Sequence, residues 1–522
     1  MSEYVNDTRS RSWITWLLLG AILLAAFFLR FWRLDVSPPG WRDDELINSL
    51  IISQHVLDGD WAVYYADASG HEALYHALNA IMLGFFGPGV PGIRWLSAIL
   101  GVLSVLLTFL LGRRLYDPLT GLVASAVLAV SFWSLMYSRT GIRHILLPVL
   151  ALATYFFFFR GLGIGDKTIR DRKARLLDFL LAGIFMGLSF YSYFASRGVP
   201  LIMLAFLVYV LIFERSLLKR FWKQLLLMFG LAFLMAIPLL VTLSHQPESE
   251  ARVSELAVPL VEARDGNFEP LQDHVVTTLS MFHGAGDDEW LYNIPDRPIF
   301  GPVGALFFWS GILIAVVYAL RPAYEWLAQR KEQEGGDPAA AIKHETSLSS
   351  AFLLIWWLAG ISPAFISVPP ASLGHTILAQ PAVYLIVALP VWWLSHIRYK
   401  DRDWLVTVAV VILLASIAAR DGPDYFADWP QRGMTRFLYR ADIHDVAQYL
   451  NGESDVQDFA ISGLLAGPWD KLALAIGLDE ERAQSVNARW YNPERALMLA
   501  PAVSFAGFPA VDVPYSAAQE RV

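Results

Sequence analysis

Residues 37–45 read Ser-Pro-Pro-Gly-Trp-Arg-Asp-Asp-Glu and directly follow the first long apolar segment of the chain. The two prolines lack a backbone N–H and clash with the preceding helical turn, so a helix cannot continue through them. The acidic residues Asp43, Asp44 and Glu45 come next. Carboxylates beside hydrocarbon are costly and usually functional, although acidic residues also stabilise an ordinary solvated helix N-terminus. We predict that these three residues face a site at a membrane surface.

The composition is typical of a polytopic membrane protein. Of the 522 residues, 56% are hydrophobic and 17% are charged, against about 25% charged residues in soluble domains. The net charge of −8 argues against a nucleic-acid partner. The chain has no cysteine, which excludes disulfides, thiolate metal sites and cysteine nucleophiles. Segment 13–34 lacks a small-residue cleavage site and is therefore predicted to be a membrane anchor.

Eleven segments are apolar over a length close to that needed to cross a bilayer, which is about 20 residues. In chain order they are 13–34, 93–112, 118–137, 141–159, 176–194, 198–213, 221–243, 301–320, 349–368, 374–396 and 404–420. The predicted fold is therefore an all-α polytopic membrane domain over residues 1–420.

The distribution of basic residues decides whether a shorter apolar segment, 74–87, also crosses. Lys and Arg of short connections favour the cytoplasmic side. If 74–87 does not cross, most of these residues lie inside, including those of the basic 160–175 connection. We therefore predict a juxtamembrane or re-entrant helix at 74–87, a cytoplasmic N-terminus and an exoplasmic C-terminus.

This topology leaves three large segments on the exoplasmic side. They are the loop 35–92, the loop 244–300 and the tail 421–522. Within the tail, the residue pattern predicts a helix over Asp442–Leu450, a strand over Asp458–Ser462 and a helix over Pro468–Leu478. The tail is therefore predicted to be a small α/β domain, and its sequence shows no catalytic signature.

The polar residues that could carry chemistry fall on the same exoplasmic side. The candidates are Asp43, Asp44, Glu45, His71, Glu72, Arg139, Arg143, Arg197 and His375. Carboxylates can act as a general base or as metal ligands, and arginines can bind a phosphate through two parallel hydrogen bonds. Together they are suited to transferring a group from a phosphorylated lipid to an acceptor.

The arginines also have a simpler interpretation. Arg139 and Arg143 are four residues apart, so on a helix they would share a face and an anionic partner. Arginines at a membrane interface, including Arg197, can instead extend toward the lipid headgroups without binding a substrate.

The histidines leave alternatives open as well. Glu72 with His283 or His245 could hold a divalent metal, although no ligand spacing supports such a site and structural histidines are commoner. His375 follows two prolines and could either bind a phosphate or cap a helix.

Taken in order, these motifs resemble the GT-C membrane glycosyltransferases of glycosyltransferase family 39, which include protein mannosyltransferase-like and aminoarabinose transferase-like bacterial enzymes. The resemblance extends over about residues 1–440. The matching motifs are Pro38-Pro39 followed by Asp44-Glu45, Gly70–Tyr75, Phe86-Gly87 through Arg94, Tyr137–Arg143, Gly286-Asp287, Tyr292–Pro295 and Pro298.

The resemblance implies inverting transfer of one sugar from a polyprenyl-phosphate donor to a lipid, glycan or protein acceptor, among membrane lipids at the outer face of a bacterial cytoplasmic membrane. Asp44 would be the base that deprotonates the acceptor hydroxyl, with Asp43 as the alternative. Inversion requires the base and the leaving phosphate on opposite faces of the sugar.

The resemblance also implies cations that stabilise the leaving phosphate. Arg143, Arg197 and His375 are the candidates, and Glu45, His71, Glu72 and Arg139 complete the predicted substrate-binding set. Related enzymes often carry an arginine near the start of the span that begins here at 374. This sequence has Leu-Gly-His-Thr instead, which would transfer the role to His375.

A flippase or transporter of lipid-linked sugars, without chemistry, is the alternative function, and a non-catalytic scaffold is a third. A transporter is expected to have charged residues within spans of both halves and an internal repeat. This chain gathers its acids in one loop and has no strong repeat, which favours the enzyme.

Overall fold

The computed structural model describes residues 2–67, 70–165, 172–245, 257–329, 339–397, 402–462 and 468–491. Within these ranges the first half contains α1 (Ser2–Phe31), α2 (Asp43–Leu46), α3 (Ile52–Leu57), α4 (Leu74–Phe86), α5 (Val90–Leu115), α6 (Pro118–Val130), α7 (Phe132–Arg139), α8 (Leu146–Leu162), α9 (Arg172–Ser189), α10 (Gly198–Phe213) and α11 (Arg215–His245). The second half contains α12 (Val258–Arg264), α13 (Glu269–Ser280), α14 (Pro302–Gln329), α15 (Ala339–Ile361), α16 (Pro363–Ile366), α17 (Gln380–His396), α18 (Arg402–Pro423), α19 (Gly433–Leu438), α20 (Ala441–Gly452), α21 (Pro468–Gly477) and α22 (Glu480–Ser485).

Two short sheets complete the described structure. In the loop 35–92, β1 (Tyr64–Tyr65) pairs antiparallel with β2 (His71–Glu72), and His71 lies opposite Tyr65. In the tail, β3 (Asp458–Ser462) pairs parallel with β4 (Asn487–Tyr491).

The predicted all-α polytopic membrane fold is confirmed. In the described ranges, nine helical segments are long and apolar enough to cross a membrane, and α6 with α7 forms a tenth that is bent by 63°. The remaining predicted segment, 176–194, corresponds to α9, whose first turns carry Arg172, Lys173 and Arg175. It packs between α8 and α11. Helices α8 and α17 lie at the centre of the bundle, because most of their residues are buried by other helices.

Segment 74–87 forms the 13-residue helix α4. At 1.5 Å per residue it is about 20 Å long, whereas the hydrocarbon core is about 30 Å thick. This length agrees with a juxtamembrane helix, and the sidedness of the loops stays a prediction.

The bend between α6 and α7 has a local cause. Ser131 is extended, with φ −72° and ψ 143°, which interrupts the helical hydrogen bonds at this point. The freed N–H of Phe132 donates to Asp421 Oδ2 at 2.8 Å. A carboxylate on α18 therefore stabilises a break inside the bundle.

The elements predicted for the tail form as expected. The helices α20 and α21 and the strand β3 coincide with the three predicted segments. Residues of these elements share an apolar cluster with Trp41, Leu46 and Ile93, so the tail packs on the loop 35–92 and on the start of α5. Residues 463–467 and 492–522 of the predicted tail lie outside the described residues. The boundary at 421 falls in the last turn of α18, and the division into domains stays a prediction.

Candidate active site

One cavity, of about 760 Å³, lies where the loops 35–92 and 244–300, the 363–375 connection and the tail meet. Its size is within the range of ordinary ligand pockets. The predicted residues that line it are Asp43, Asp44, His71, Glu72, Arg143, Arg197 and His375. The structure therefore brings together acidic and basic side chains from positions 43 to 375.

Asp44 is held in this cavity by two side-chain hydrogen bonds. Its Oδ2 accepts hydrogen bonds from Arg42 Nη2 at 2.6 Å and from the Tyr292 hydroxyl at 3.3 Å. Burial alone would raise the pKa of Asp44, but Arg42, Arg143 and the Tyr292 hydroxyl outweigh it and hold the pKa below its usual value. Asp44 is therefore ionised and able to accept a proton.

Asp43 also lines the cavity but has a structural contact of its own. It begins α2, and its Oδ1 accepts the backbone N–H of Asp44 at 2.9 Å. Its side chain is 49% exposed, against 37% for Asp44. Asp43 thus satisfies a backbone N–H in the first turn of the helix that presents Asp44.

Glu45 does not reach the cavity. Its side chain is fully buried, and its two oxygens accept from Arg94 Nε and Nη2 at 2.7 and 2.9 Å. One of these oxygens also accepts the N–H of Gly141 at 2.9 Å. The predicted substrate-binding role is corrected accordingly, because every contact of Glu45 is with the scaffold.

Arg143 and Glu72 form the contact between the hairpin and the membrane domain. Arg143 Nη1 donates to the carbonyl oxygen of Gly70 at 3.0 Å, and its Nε lies 3.6 Å from Glu72 Oε2. Gly70 has φ +97°, and a Cβ there would overlap the Tyr64 ring, so the turn requires glycine. Glu72 therefore orients a cation that lines the cavity.

His71 is held neutral beside this pair. Burial, and then the charge of Arg143, lower its pKa well below the usual value. Its Nδ1 lies 2.9 Å from the carbonyl oxygen of Asp67, and its Nε2 lies 3.3 Å from Asn48 Nδ2. His71 contributes hydrogen bonding to the cavity, not charge.

The three predicted phosphate ligands share a structural position. Arg143 and Arg197 lie in 3₁₀ turns that lead directly into α8 and α10, and His375 precedes the 3₁₀ turn that leads into α17. Helix N-termini carry partial positive charge and favour anions. Three basic side chains at such ends therefore line one cavity, an arrangement suited to an anionic ligand.

Local contacts hold Arg197 and His375 in place. The Arg197 guanidinium lies 4.2 Å from the centre of the Phe194 ring. His375 Nδ1 lies 2.9 Å from Ser367 Oγ. Both side chains line the cavity from the connections between membrane helices.

Arg139 is not at the cavity, and the predicted shared face with Arg143 is wrong. Helix α7 ends at Arg139, and both Thr140 and Ile142 are extended. Arg139 is buried and donates to the carbonyls of Leu29, Trp32, Arg33 and Ser37. It completes the carboxyl end of α1 and the turn that follows, so its role is structural.

The proposed metal pair is not supported among the described residues. Glu72 lines the cavity, but His283 does not, and the His283 ring accepts from the Trp309 indole at 3.3 Å. His245 ends α11, where its Nδ1 lies 2.7 Å from the carbonyl oxygen of Val241. In the described ranges no group of three or more His, Cys, Asp or Glu side chains is arranged to hold a metal.

Arg42, Tyr292 and Trp469 are among the lining residues that sequence reasoning did not place in the site. Arg42 lies inside the acidic stretch, where its proximity to three carboxylates was the available signal. Tyr292 belongs to a motif of the resemblance but has no charge. Trp469 comes from α21 of the tail, and no local pattern relates it to residues more than 400 positions earlier.

The loop that carries Tyr292 is held by the last third of the chain. Trp429 and Tyr439 donate to the carbonyls of Trp290 and Leu291, at 3.0 and 2.9 Å. Further along the loop, Arg297 pairs with Asp421 and with Asp424, at 2.5 and 2.7 Å.

Comparisons with known proteins agree with this architecture. The family described as dolichyl-phosphate-mannose-protein mannosyltransferase matches residues 72–241. An undecaprenyl phosphate-alpha-4-amino-4-deoxy-L-arabinose arabinosyl transferase of Pseudomonas aeruginosa is 33% identical over 227 residues, which are 42% of this chain and 38% of that protein. A second such transferase, from Pseudomonas fluorescens, is 29% identical over 237 residues, 44% of this chain and 39% of that protein. The chain thus spans about two fifths of the length of these curated relatives.

A solved structure resembles the chain over a greater length. The protein O-mannosyltransferase Pmt1–Pmt2 complex of S. cerevisiae, bound to its sugar donor, superposes with a TM-score of 0.53 over 82% of this chain and 92% of that chain, at 10% identity. At this identity the likeness concerns the fold. The chain therefore has the GT-C fold, and its predicted resemblance to the GT-C membrane glycosyltransferases is confirmed.

Proposed function

We propose that the protein is a membrane glycosyltransferase that transfers one sugar from a polyprenyl-phosphate donor to an exoplasmic acceptor, with inversion. The observation that best supports this proposal is the content of one cavity. It combines an ionised carboxylate, Asp44, with three basic residues at helix N-termini, Arg143, Arg197 and His375.

The reaction needs both groups at once. The acceptor oxygen attacks the anomeric carbon while Asp44 takes the hydroxyl proton, and the bond from that carbon to the phosphate oxygen breaks. The leaving polyprenyl phosphate gains negative charge, which Arg143, Arg197 and His375 stabilise where it develops. Attack and departure occur on opposite faces of the sugar, so its configuration inverts.

The relatives suggest the donors to test first. Undecaprenyl-phosphate aminoarabinose is suggested by the names of the Pseudomonas proteins, and a polyprenyl-phosphate mannose by the matching family. The family match includes Glu72, Arg143 and Arg197, whereas Asp44 and His375 lie outside the matched residues. The acceptor is a lipid, a glycan or a protein.

The proposed location is the outer face of a bacterial cytoplasmic membrane. The distribution of Lys and Arg supports a cytoplasmic N-terminus, which would place the cavity and the tail 421–522 on the exoplasmic side of the membrane domain 1–420.

Transfer in proteoliposomes tests the proposal. Wild type, Asp44→Asn and Asp43→Asn are supplied with the donor panel and a mixed lipid and glycan acceptor fraction, and released polyprenyl phosphate is measured. Loss of a general base typically costs about 10²–10⁴-fold in rate, so Asp44→Asn should lose that much while its donor binding is retained. Asp43→Asn should keep most of its turnover.

Two outcomes would contradict the proposal. Turnover that survives the Asp44 substitution would remove this residue as the base. Movement of labelled lipid-linked sugar across the bilayer, without release of polyprenyl phosphate by any protein variant, would identify a transporter.

A further inference from the structure

We infer that Arg42, together with Tyr292, is the positioning residue of the base: the two side chains bind one oxygen of Asp44 and thereby direct the other oxygen to the acceptor hydroxyl. This inference rests on the proposed function and deepens it, because it concerns how Asp44 works and not which reaction occurs.

The position of Arg42 commits it to Asp44. The Arg42 side chain is 4% exposed. The residue directly precedes α2, and its backbone is extended, with φ −95° and ψ 161°. Within the described residues Asp44 is the only hydrogen-bond acceptor of its guanidinium, with Asp43 Oδ1 at 3.6 Å from Nε. Because a buried guanidinium without its carboxylate is strongly unfavourable, Arg42 resists any movement of Asp44.

Tyr292 reinforces this arrangement from the second exoplasmic loop. Its ring centre lies 4.7 Å from the Arg42 guanidinium, and the ring also stacks on Tyr137 with 8° between the ring planes. Its hydroxyl donates to the same Asp44 oxygen that Arg42 binds. The stacked rings thus fix the position of the cation as well as that of the carboxylate.

The two contacts select one carboxylate oxygen. Both fall on Asp44 Oδ2, and in the described part of the chain Oδ1 accepts no hydrogen bond. Since the Asp44 side chain is 37% exposed at the cavity, Oδ1 is the atom assigned to the acceptor proton. A base whose rotation is restricted in this way loses less orientational freedom in the transition state.

The same contacts determine the proton affinity of the base. The charged or titratable groups facing Asp44 are Arg42, Asp43, Arg143, His144, Glu289 and Tyr292. Among the groups that lower the pKa of Asp44, Arg42 has the largest effect. Asp44 is therefore a weak base that takes its proton late, when the attacking hydroxyl has already become acidic through bond formation.

Variants of Arg42 and Tyr292, with controls, test the inference through the pH dependence of kcat/KM for the acceptor. In Arg42→Gln the acid limb of this pH profile, where kcat/KM falls as Asp44 is protonated, should move to higher pH by about one unit. The reason is that an adjacent arginine lowers an aspartate pKa by about 1–3 units. The plateau value of kcat/KM should also fall, on the order of 10–100-fold, because Asp44 Oδ1 is no longer directed at the acceptor hydroxyl. Arg42→Lys retains the charge without the planar fork, so its plateau should fall while its limb stays near that of wild type.

Tyr292→Phe keeps the stacked ring and removes only one hydrogen bond. It should lower the plateau several-fold and move the limb upward by less than Arg42→Gln does. This variant also serves if Arg42→Gln does not fold. The matched control is Arg432→Gln, which removes an arginine that is 40% exposed and paired with Asp428 at 2.6 Å, and its profile should equal that of wild type.

The outcomes separate this inference from the proposed function. An unshifted limb in Arg42→Gln with a lower plateau would indicate a merely structural role and overturn the inference. A limb that disappears in Glu289→Gln would belong to Glu289 and would also overturn it. If Asp44→Asn is inactive and the Arg42 and Tyr292 variants match wild type, the inference fails alone; if Asp44→Asn turns over normally, the proposed base fails with it.

Discussion

Asp44 and Glu45 are adjacent in the sequence, and each is paired with an arginine, but the two pairs differ in what remains unbonded. Glu45 is fully buried, and both of its oxygens are bonded, to Arg94 and to the Gly141 N–H. Asp44 is partly exposed at the cavity, and its bonds to Arg42 and Tyr292 use a single oxygen.

The difference separates structural from chemical use of the same residue types. Arg94 also donates to the carbonyls of Leu34, Pro38 and Gly40, so the Glu45–Arg94 pair fixes the backbone that precedes α2. The Asp44–Arg42 pair keeps one acceptor atom for a substrate. A fully bonded buried pair thus holds the motif in place, and the pair next to it leaves one carboxylate oxygen for the catalytic role that we propose.

Breaking the buried pair should have the largest effect. Arg94→Met leaves Glu45 as an unpaired buried charge and removes the donor for three carbonyl groups. We expect a loss of about 3–5 kcal/mol of stability, measured as the unfolding temperature in detergent. Adding Glu45→Leu removes the orphaned charge and should recover part of the loss, but not the bonds to the carbonyls. Unfolding of Arg94→Met at the wild-type temperature would contradict the structural role of this pair.

Asp287 extends the comparison to a buried acid that is bonded to backbone N–H groups and not to an arginine. Asp287 is fully buried, and its two oxygens accept the N–H groups of Glu289 and Leu373, at 3.0 and 2.7 Å. Burial raises the pKa of Asp287 to about 7. Because the folded protein then binds the proton more tightly than the unfolded chain, this group's contribution to stability is present below about pH 4 and is lost as the pH rises to about 7.

Asp287→Asn should remove this dependence. The amide cannot accept both N–H groups, so we expect a loss of about 1–3 kcal/mol at acidic pH, which shrinks as the pH approaches 7. Thermal unfolding of both proteins between pH 4 and 8 measures the difference. A difference that stays constant above about pH 5 would show that Asp287 is ionised in the folded state throughout this range.

The smallest effect is expected for a pair on the surface. Arg432 and Asp428 are 2.6 Å apart, but their side chains are 40% and 46% exposed. Exposed pairs contribute about 0–1 kcal/mol. Arg432→Gln should therefore shift the unfolding temperature by less than either change above, and high salt should reduce even this shift. A loss comparable with that of Arg94→Met would mean that burial does not distinguish these pairs.

Much of the fold was predictable because its signals are local. The length of the apolar segments sets the membrane helices, and alternation within five residues identified the strand Asp458–Ser462. Helix α1 ends at Phe31, before the two prolines, so it does not continue through them, as expected. These features depend on residues that are neighbours in the chain.

The details of the site depend on contacts that no local pattern contains. On a helix, Asp44 and Glu45 differ by about 100° in direction, and only the position of Arg94 decides which of them is buried. Arg139 and Arg143 have the spacing of one helix face, but the chain between them is extended. Tyr292 reaches Asp44 across 248 positions of sequence, so its role required the tertiary structure.

The anchoring of the Tyr292 loop also has a consequence for biosynthesis. The partners that hold this loop, Asp421, Trp429 and Tyr439, follow it by 124 to 148 positions. A chain is made from its N-terminus at about 5–20 residues per second, so the acidic motif and most membrane helices exist well before these partners do. The cavity is therefore completed only after α18 has been synthesised, and a nascent chain at an earlier stage carries Asp44 and the Tyr292 loop but not the residues that hold this loop in place.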